Sequence, residues 1–357
     1  MIENKLVRHS YSKEDCIFLL KDISEFVNEV TVEEKEAFIN KGESYSKIIS
    51  KELSVNEDIK QMFLTLLNQE SGNIARYVSI VAEKIYKNKG DKLVIVSLAR
   101  AGTPFGILVK RYLETKYKKK FPHYSVSIIR GKGIDENAVK YILDNNLNCD
   151  IQFIDGWTGK GSITKELSES IKKFNSKYST DIDSSLAVIA DPARKSIING
   201  TRKDINIPNC CLNGTVSGLV SRTILNEEFI GKNDFHGAKT LDYLGDEDFS
   251  VYFIDKISEK FNFNGEYTVN LDSVDEVYVE YVMNSVKETL GIDDIHKVKL
   301  SIGEVSRALL RRDTKEVYIR DINNKDVKHI IILAKEKNVP IKTLEIDCDY
   351  QCIAIIR

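Results

Sequence analysis

The chain has 357 residues, of which 42% are hydrophobic and 30% are charged. This balance excludes a disordered, collagen-like or wholly coiled-coil chain. The sequence has no run of about 18 apolar residues, so no membrane span is predicted. The 52 basic and 54 acidic residues give a net charge of −2, so any nucleic-acid binding must be local to one patch. The start of the chain lacks an apolar signal core, and the six cysteines form no Cys-x-x-Cys pair. We therefore expect a cytoplasmic protein with reduced thiols.

The first ninety residues predict mainly helix. Ser12 is a candidate cap for a helix in which residues 16–20 have helical spacing. A second helix is predicted over about 73–86, and it ends before Gly90.

The pattern then changes to alternating strands and helices. Strands are predicted at 93–96, 124–129, 151–154 and 186–190, and helices are predicted to begin near Pro104, Glu136 and Ile163. Four such units predict an α/β fold with a doubly wound, mostly parallel sheet. Ligands of such sheets bind at the carboxyl ends of the strands, where the polar loops fall in this sequence.

Near residue 262 the pattern resets, and we expect a domain boundary there. A long helix over about 274–290 precedes a small α/β unit, predicted as a helix from Ile302, a strand at 316–319, a helix at 326–337 and strands at 341–346 and 352–356. The predicted organisation is a helical N-terminal region (1–90) packed on the core, a main domain (91–262), a connecting helix (263–294) and a smaller α/β domain (295–357).

The stretch 151–162 carries the clearest chemistry. A buried strand ends in Asp155, and a loop of Thr, Gly, Lys, Gly and Ser leads into an amphipathic helix. Backbone N–H groups and the helix N-terminus make this a cradle for one phosphomonoester. A nucleotide-triphosphate loop is excluded because Gly161 separates Lys160 from Ser162.

This spacing resembles the 5-phosphoribosyl-1-pyrophosphate (PRPP) loop of type I phosphoribosyltransferases. Asp155 matches the first acid of that loop, but Gly156 stands where the second acid usually lies. The residues that match the 5′-phosphate cradle are Thr158, Gly159, Lys160, Gly161 and Ser162. A second loop looks like the family's pyrophosphate loop, through Arg100, Ala101, Gly102 and Thr103.

The wider chain resembles the phosphoribosyltransferase-like proteins of bacterial tellurite-resistance and stress operons, some of which carry the name cysteine protease StiP. The stretches that carry this resemblance are 125–135, 200–202, 211–223 and 234–239. The resemblance implies a fused C-terminal RNA-binding domain of the pelota type, with its match at 299–312. Ser301 and Glu304 form a capping box at the start of the helix there. Its candidate RNA-binding residues are Gly303, Glu304, Arg307, Arg311 and Arg312.

The resemblance implies a phosphoribosyltransferase with an unknown acceptor, and RNA is one candidate. Asp155 would face the developing ribosyl cation, and Arg100 with Mg²⁺ would hold the leaving pyrophosphate. Lys132 or Arg130 would close over the site, and Asp191 would replace the missing acid or cap its own loop.

Two other functions stay open. The first is a phosphoribosyl or nucleotide sensor without turnover, which Gly156 favours. The second is a cysteine hydrolase in which Cys211 is the nucleophile, His236 the base, and Asp234 or Asn213 the orienting group. The other histidines (His9, His123, His296 and His329) have ordinary core or surface roles as the default, and no zinc site is expected at Cys348 and Cys352. An oligomer is possible.

Overall fold

The computed structural model describes residues 6–27, 29, 30, 34, 49 and 51–357. The strands are β1 (Ile17–Leu19), β2 (Lys21–Asp22), β3 (Leu93–Ala99), β4 (His123–Ile129), β5 (Gly133–Ile134), β6 (Asp150–Trp157), β7 (Leu186–Ala190), β8 (Ile198–Thr201), β9 (Gly237–Ala238), β10 (Val298–Leu300), β11 (Thr314–Ile319), β12 (Ile341–Thr343) and β13 (Cys352–Ile356). The α-helices are α1 (Glu57–Lys89), α2 (Thr103–Tyr117), α3 (Glu136–Asn145), α4 (Ser162–Tyr178), α5 (Ser250–Ser258), α6 (Tyr278–Leu290), α7 (Ile302–Arg311) and α8 (Lys328–Glu336). Among the described residues, no helix combines the length and apolar character that a membrane crossing needs.

The larger sheet has the strand order β1-β4-β3-β6-β7-β8, with β5 paired to β4. All neighbours along the main path are parallel, which confirms the predicted α/β fold with a mostly parallel sheet. Hydrophobic residues on both faces of this sheet are buried, as expected for strands with nearly continuous apolar runs. Since β3 and β6 pair in register at Ser97 and Ile154, the loops that follow these two strands lie side by side.

The predicted helix over residues 16–20 is wrong. Ile17–Leu19 is an edge strand that pairs in parallel with β4, through Ile17 and Tyr124 and through Leu19 and Val126. A run of apolar residues this short fits either a strand or a helix, and the free sheet edge decides between them. The predicted helix at 73–86 is part of the much longer α1, which Asn56 caps by accepting a hydrogen bond from Ile59 N at 2.8 Å.

The C-terminal sheet has the order β10-β13-β11-β12. One apolar cluster packs α7 and α8 on this sheet, and a second packs α6 on it. Helix α7 begins where the capping box predicts, but Ser301 does not cap it, and its Oγ is buried without a partner. Instead, the carboxylate of Asp204, in the segment after β8, accepts a hydrogen bond from Ile302 N at 3.0 Å. An acceptor from outside the local sequence thus replaces the expected cap, and it ties the smaller sheet's unit to the larger one.

Candidate functional site

A cluster of two thiols and one imidazole lies between the two sheet units. The sulfurs of Cys210 and Cys211 and a ring nitrogen of His329 all lie within 4.8 Å of one another. The cysteines come from a short turn, Pro208–Cys211, and the histidine comes from α8. All three side chains are buried. The cluster therefore exists only because the two units pack together.

Local hydrogen bonds fix the cysteine turn. Pro208 begins it with a preset φ, Cys210 N donates to Ile207 O at 2.9 Å, and Leu212 N donates to Asn209 O at 3.3 Å. An apolar cover excludes water from the sulfurs; its members are Met62, Leu66, Trp157 and Leu310.

The hydroxyl of Ser306 orients the imidazole. Ser306 Oγ lies 2.7 Å from His329 Nε2 and donates its single proton to Ile302 O at 2.7 Å. Ser306 must then accept from Nε2–H, so we assign the neutral ring a lone pair on Nδ1. Nδ1 is buried and has no hydrogen-bond partner. This is the protonation state that a general base or a metal ligand requires.

The two thiols have opposite character. Interactions with the Cys211 thiol and with the ring of His329 outweigh burial and hold the pKa of Cys210 well below its ordinary value. The interaction with Cys210, together with burial, raises the pKa of Cys211 well above that value. Arg311 adds a positive charge near the pair, and burial lowers the pKa of its guanidinium to about 9. These directions favour Cys210 over Cys211 as the thiolate, which is the nucleophilic form of cysteine.

The pair proposed from sequence, Cys211 and His236, is arranged differently. The ring of His236 lies with its Nδ1 2.9 Å from Ser127 Oγ, and its backbone N donates to Asp135 at 2.6 Å. Asp234 pairs with Lys21 at 2.5 Å. The imidazole beside Cys211 is that of His329, for which an ordinary core or surface role was expected from the sequence. No spacing rule connects residues 210 and 329, and the adjacent cysteines were the only local signal.

The predicted phosphate loop follows β6, and its polar side chains form hydrogen bonds with other groups of the protein. Thr158 Oγ1 donates to Asp191 at 2.6 Å, and Lys160 Nζ donates to Ile295 O at 2.6 Å. Asp155 accepts from Gly156 N at 2.8 Å, and burial raises its pKa to about 6. Gly161, with φ +76°, is the residue before α4, and Ser162 is the first residue of that helix.

Gly156 and Asp191 have structural explanations. A Cβ at residue 156 would lie 2.7 Å from the ring of Phe105, so no acidic side chain fits there. Asp191 does not replace that acid, because its oxygens accept from Thr158, from the backbone of Lys195 and Ser196, and from Arg202.

The residues of the predicted pyrophosphate loop also interact with other groups of the protein. Arg100 forms an ion pair with Glu52 and donates to Val220 O at 2.6 Å. A Cβ at Gly102 would lie 2.5 Å from Ile154 O, so this glycine permits close contact between its loop and β6. Thr103 Oγ1 is buried 2.7 Å from Ser125 Oγ.

A cavity of about 490 Å³ lies between the loop after β6 and the C-terminal unit. Its cationic residues are Arg130, Lys160, Lys299 and Arg307, and Ala101, Gly159, Asp155 and Glu304 also line it. Burial, with the charges of Lys299 and Arg130, lowers the pKa of Lys160 to about 8. Lys132 is exposed and does not line this cavity.

The predicted RNA-binding residues mostly face the other unit. A Cβ at Gly303 would lie 2.6 Å from Trp157, and the guanidinium of Arg307 lies 4.3 Å from the centre of the indole. Glu304 packs against Gly159, and half-buried Arg311 donates to Leu212 O at 2.7 Å. Only Arg312 in this set is exposed.

Two family models match the chain. One, described as tellurite-like stress resistance cysteine protease StiP, matches residues 9–258, and the other, the PELOTA RNA binding domain, matches residues 279–357. The chain is also 29% identical over 363 residues to a protein of Acinetobacter baylyi named cysteine protease StiP, covering 98% of this chain and 94% of that protein.

These matches contradict the expected phosphoribosyltransferase activity. Both the family description and the relative's name specify a cysteine protease, and neither specifies a transferase. The transferase roles expected for Asp155, Arg100 and Lys132 therefore lose their basis. The cysteine hydrolase alternative agrees better with the matches. The Mg²⁺ expected with pyrophosphate stays a sequence-based prediction.

Proposed function

Because the chain belongs to the StiP family, whose model covers residues 9–258, we propose that it is a cysteine protease with Cys210 as nucleophile and His329 as base. The observation that carries this proposal is the buried contact of Cys210, Cys211 and His329. Cysteine proteases need a thiol and an imidazole in such contact. Cys211, the nucleophile predicted from the sequence, does have an imidazole neighbour. Its raised pKa, however, favours Cys210 as the attacking thiolate.

The roles of the residues follow from their positions. His329 takes the thiol proton of Cys210, the resulting thiolate attacks the peptide carbonyl carbon, and the oxygen takes the negative charge. Protonated His329 gives its proton to the departing amine as the C–N bond breaks, which leaves a thioester. Water, deprotonated by His329, then cleaves the thioester and restores the thiol. Ser306 fixes the orientation of the imidazole ring, and Arg311 supplies positive charge near the sulfur.

Access to the site requires movement. Cys210 is fully buried, and Met62, Leu66 and Leu310 cover the cluster. A peptide reaches the sulfur only when this apolar cover opens. We therefore expect slow alkylation of Cys210 in the closed arrangement, and faster alkylation whenever the two units loosen.

Proteolysis of a fluorescein-labelled unfolded protein, casein, tests the proposal. We expect Cys210→Ser and His329→Gln to lower the rate of cleavage by about 10³-fold or more. Cys149→Ser removes a half-buried thiol away from the cluster and is the matched control, with an unchanged rate. The proposal fails if the wild-type chain does not cleave, or if cleavage continues in Cys210→Ser.

A second function is RNA binding by the C-terminal domain, which the match to the PELOTA RNA binding domain supports. The cationic cavity beside α7, with Lys299 and Arg307 in its wall, favours a phosphate there. Because Gly303 and Arg307 contact Trp157, RNA that binds this face has to compete with the contact between the two units.

A further inference from the structure

The cluster of Cys210, Cys211 and His329 has the donor set of a metal site. Two sulfurs and one imidazole nitrogen suit thiophilic cations with filled d shells, such as Zn²⁺. In tetrahedral zinc sites with Zn–S bonds of about 2.3 Å, sulfurs lie roughly 3.8 Å apart. The three donors already lie within 4.8 Å of one another, so small side-chain movements would complete the geometry.

The surroundings of His329 match those of a metal-bound histidine. Such a ring usually donates its other N–H to a neighbouring acceptor, which fixes both the tautomer and the orientation. Here Ser306 Oγ lies 2.7 Å from Nε2 and gives its own proton to Ile302 O. The remaining nitrogen, Nδ1, is buried without a hydrogen-bond partner. A buried polar atom without a partner is costly.

Charge balance also favours a dication. Two thiolates and one Zn²⁺ sum to zero charge, whereas two thiolates alone would place two negative charges in a buried apolar site. Coordination by thiolates releases the thiol protons to solvent.

We propose that Cys210, Cys211 and His329 bind one thiophilic divalent cation, with Zn²⁺ as the expected ion and one coordination position left to water or substrate. Each thiolate sulfur donates an electron pair to the ion, and no oxidation occurs. The binding itself does not depend on the protease proposal. Its regulatory consequence does, since an occupied Cys210 cannot attack a peptide.

Titration of the reduced full-length chain with Co²⁺ tests the site without any substrate. We expect one Co²⁺ per chain, with thiolate-to-cobalt charge transfer and intense tetrahedral d–d bands that Zn²⁺ displaces. Ser306→Ala should weaken binding by about 10–100-fold, because the ring loses its orienting partner. Cys149→Ser is the matched control and should leave the titration unchanged.

The site residues are tested by Cys210→Ser and Cys211→Ser, each checked for the wild-type circular dichroism spectrum. We expect the charge-transfer band to fall by about half in each, and metal affinity to fall at least 100-fold. The proposal is overturned if the folded wild-type chain gives no charge transfer, or if the band persists at full intensity in either variant. Metal binding without proteolysis would support this inference and contradict the protease proposal. Proteolysis without metal binding would contradict this inference and support the protease proposal.

Discussion

Replacing Gly303 by alanine tests the contact between α7 and Trp157, which joins the two units. An ideal Cβ at this position would lie 2.6 Å from Cε2 and 2.7 Å from Nε1 of the indole. Real side chains do not approach this closely, so the indole or the start of α7 must shift. The stacked guanidinium of Arg307 must shift with them, since it lies 4.3 Å from the ring centre.

The expected magnitude is a difference between two effects. Alanine in a helix is more favourable than glycine by about 1 kcal/mol, which would stabilise α7. Overpacking costs about 1–3 kcal/mol, and disturbing a cation–π contact costs roughly 0.5–1 kcal/mol more. We therefore expect a net decrease of about 1–2 kcal/mol in the free energy of unfolding.

The assay is urea unfolding followed by tryptophan fluorescence. Trp157 is the only tryptophan of the chain, so its emission reports this contact directly. We expect a lower unfolding midpoint and a red-shifted native emission in Gly303→Ala. Gly72→Ala is the matched control, because a Cβ there meets no atom within 4 Å and α1 should gain about 1 kcal/mol. If Gly303→Ala raises stability as Gly72→Ala does, with unchanged emission, the reasoning about this contact is refuted.

Two further predictions concern the same junction. If RNA competes with the contact between the units, adding a structured RNA should shift Trp157 emission and speed iodoacetamide labelling of Cys210 about tenfold, with both effects lost at high salt. RNA binding that changes neither signal would place the RNA on another surface. Burial raises the pKa of Asp204 from 3.8 to about 7, so its contribution to the free energy of unfolding is full below pH 3.8 and is lost as the pH rises toward 7. Urea unfolding between about pH 4 and pH 7 should show a loss of up to roughly 1.4 kcal/mol per pH unit, and an equal slope in Asp204→Asn would contradict this assignment.

The elements that the sequence predicted well are those with a strong local signal. The apolar runs at 93–96 and 186–190 are strands, and helices begin close to Pro104 and at Ile302. Their side-chain periodicity and their stop and start residues act within a few positions. Residues 16–20 failed because a five-residue apolar run carries too little periodicity to separate a strand from a helix.

The candidate site shows the limit of such reasoning more sharply. The glycine and hydroxyl pattern of 155–162 does make a loop at a strand end, yet Thr158 and Lys160 bond to the protein itself. Local pattern specifies which groups a loop offers, but it does not specify which neighbours take them. Gly156 likewise owes its identity to the ring of Phe105, which approaches from α2.

The sequence by itself determined the α/β class, the mostly parallel sheet, the separate C-terminal unit and the presence of adjacent cysteines. Only the tertiary structure decided that His329, rather than His236, meets those cysteines, and that Asp204, rather than Ser301, caps α7. Each of these contacts joins segments far apart in the chain. Their geometry depends on how the apolar faces of the two units pack, and no spacing within either segment encodes that packing.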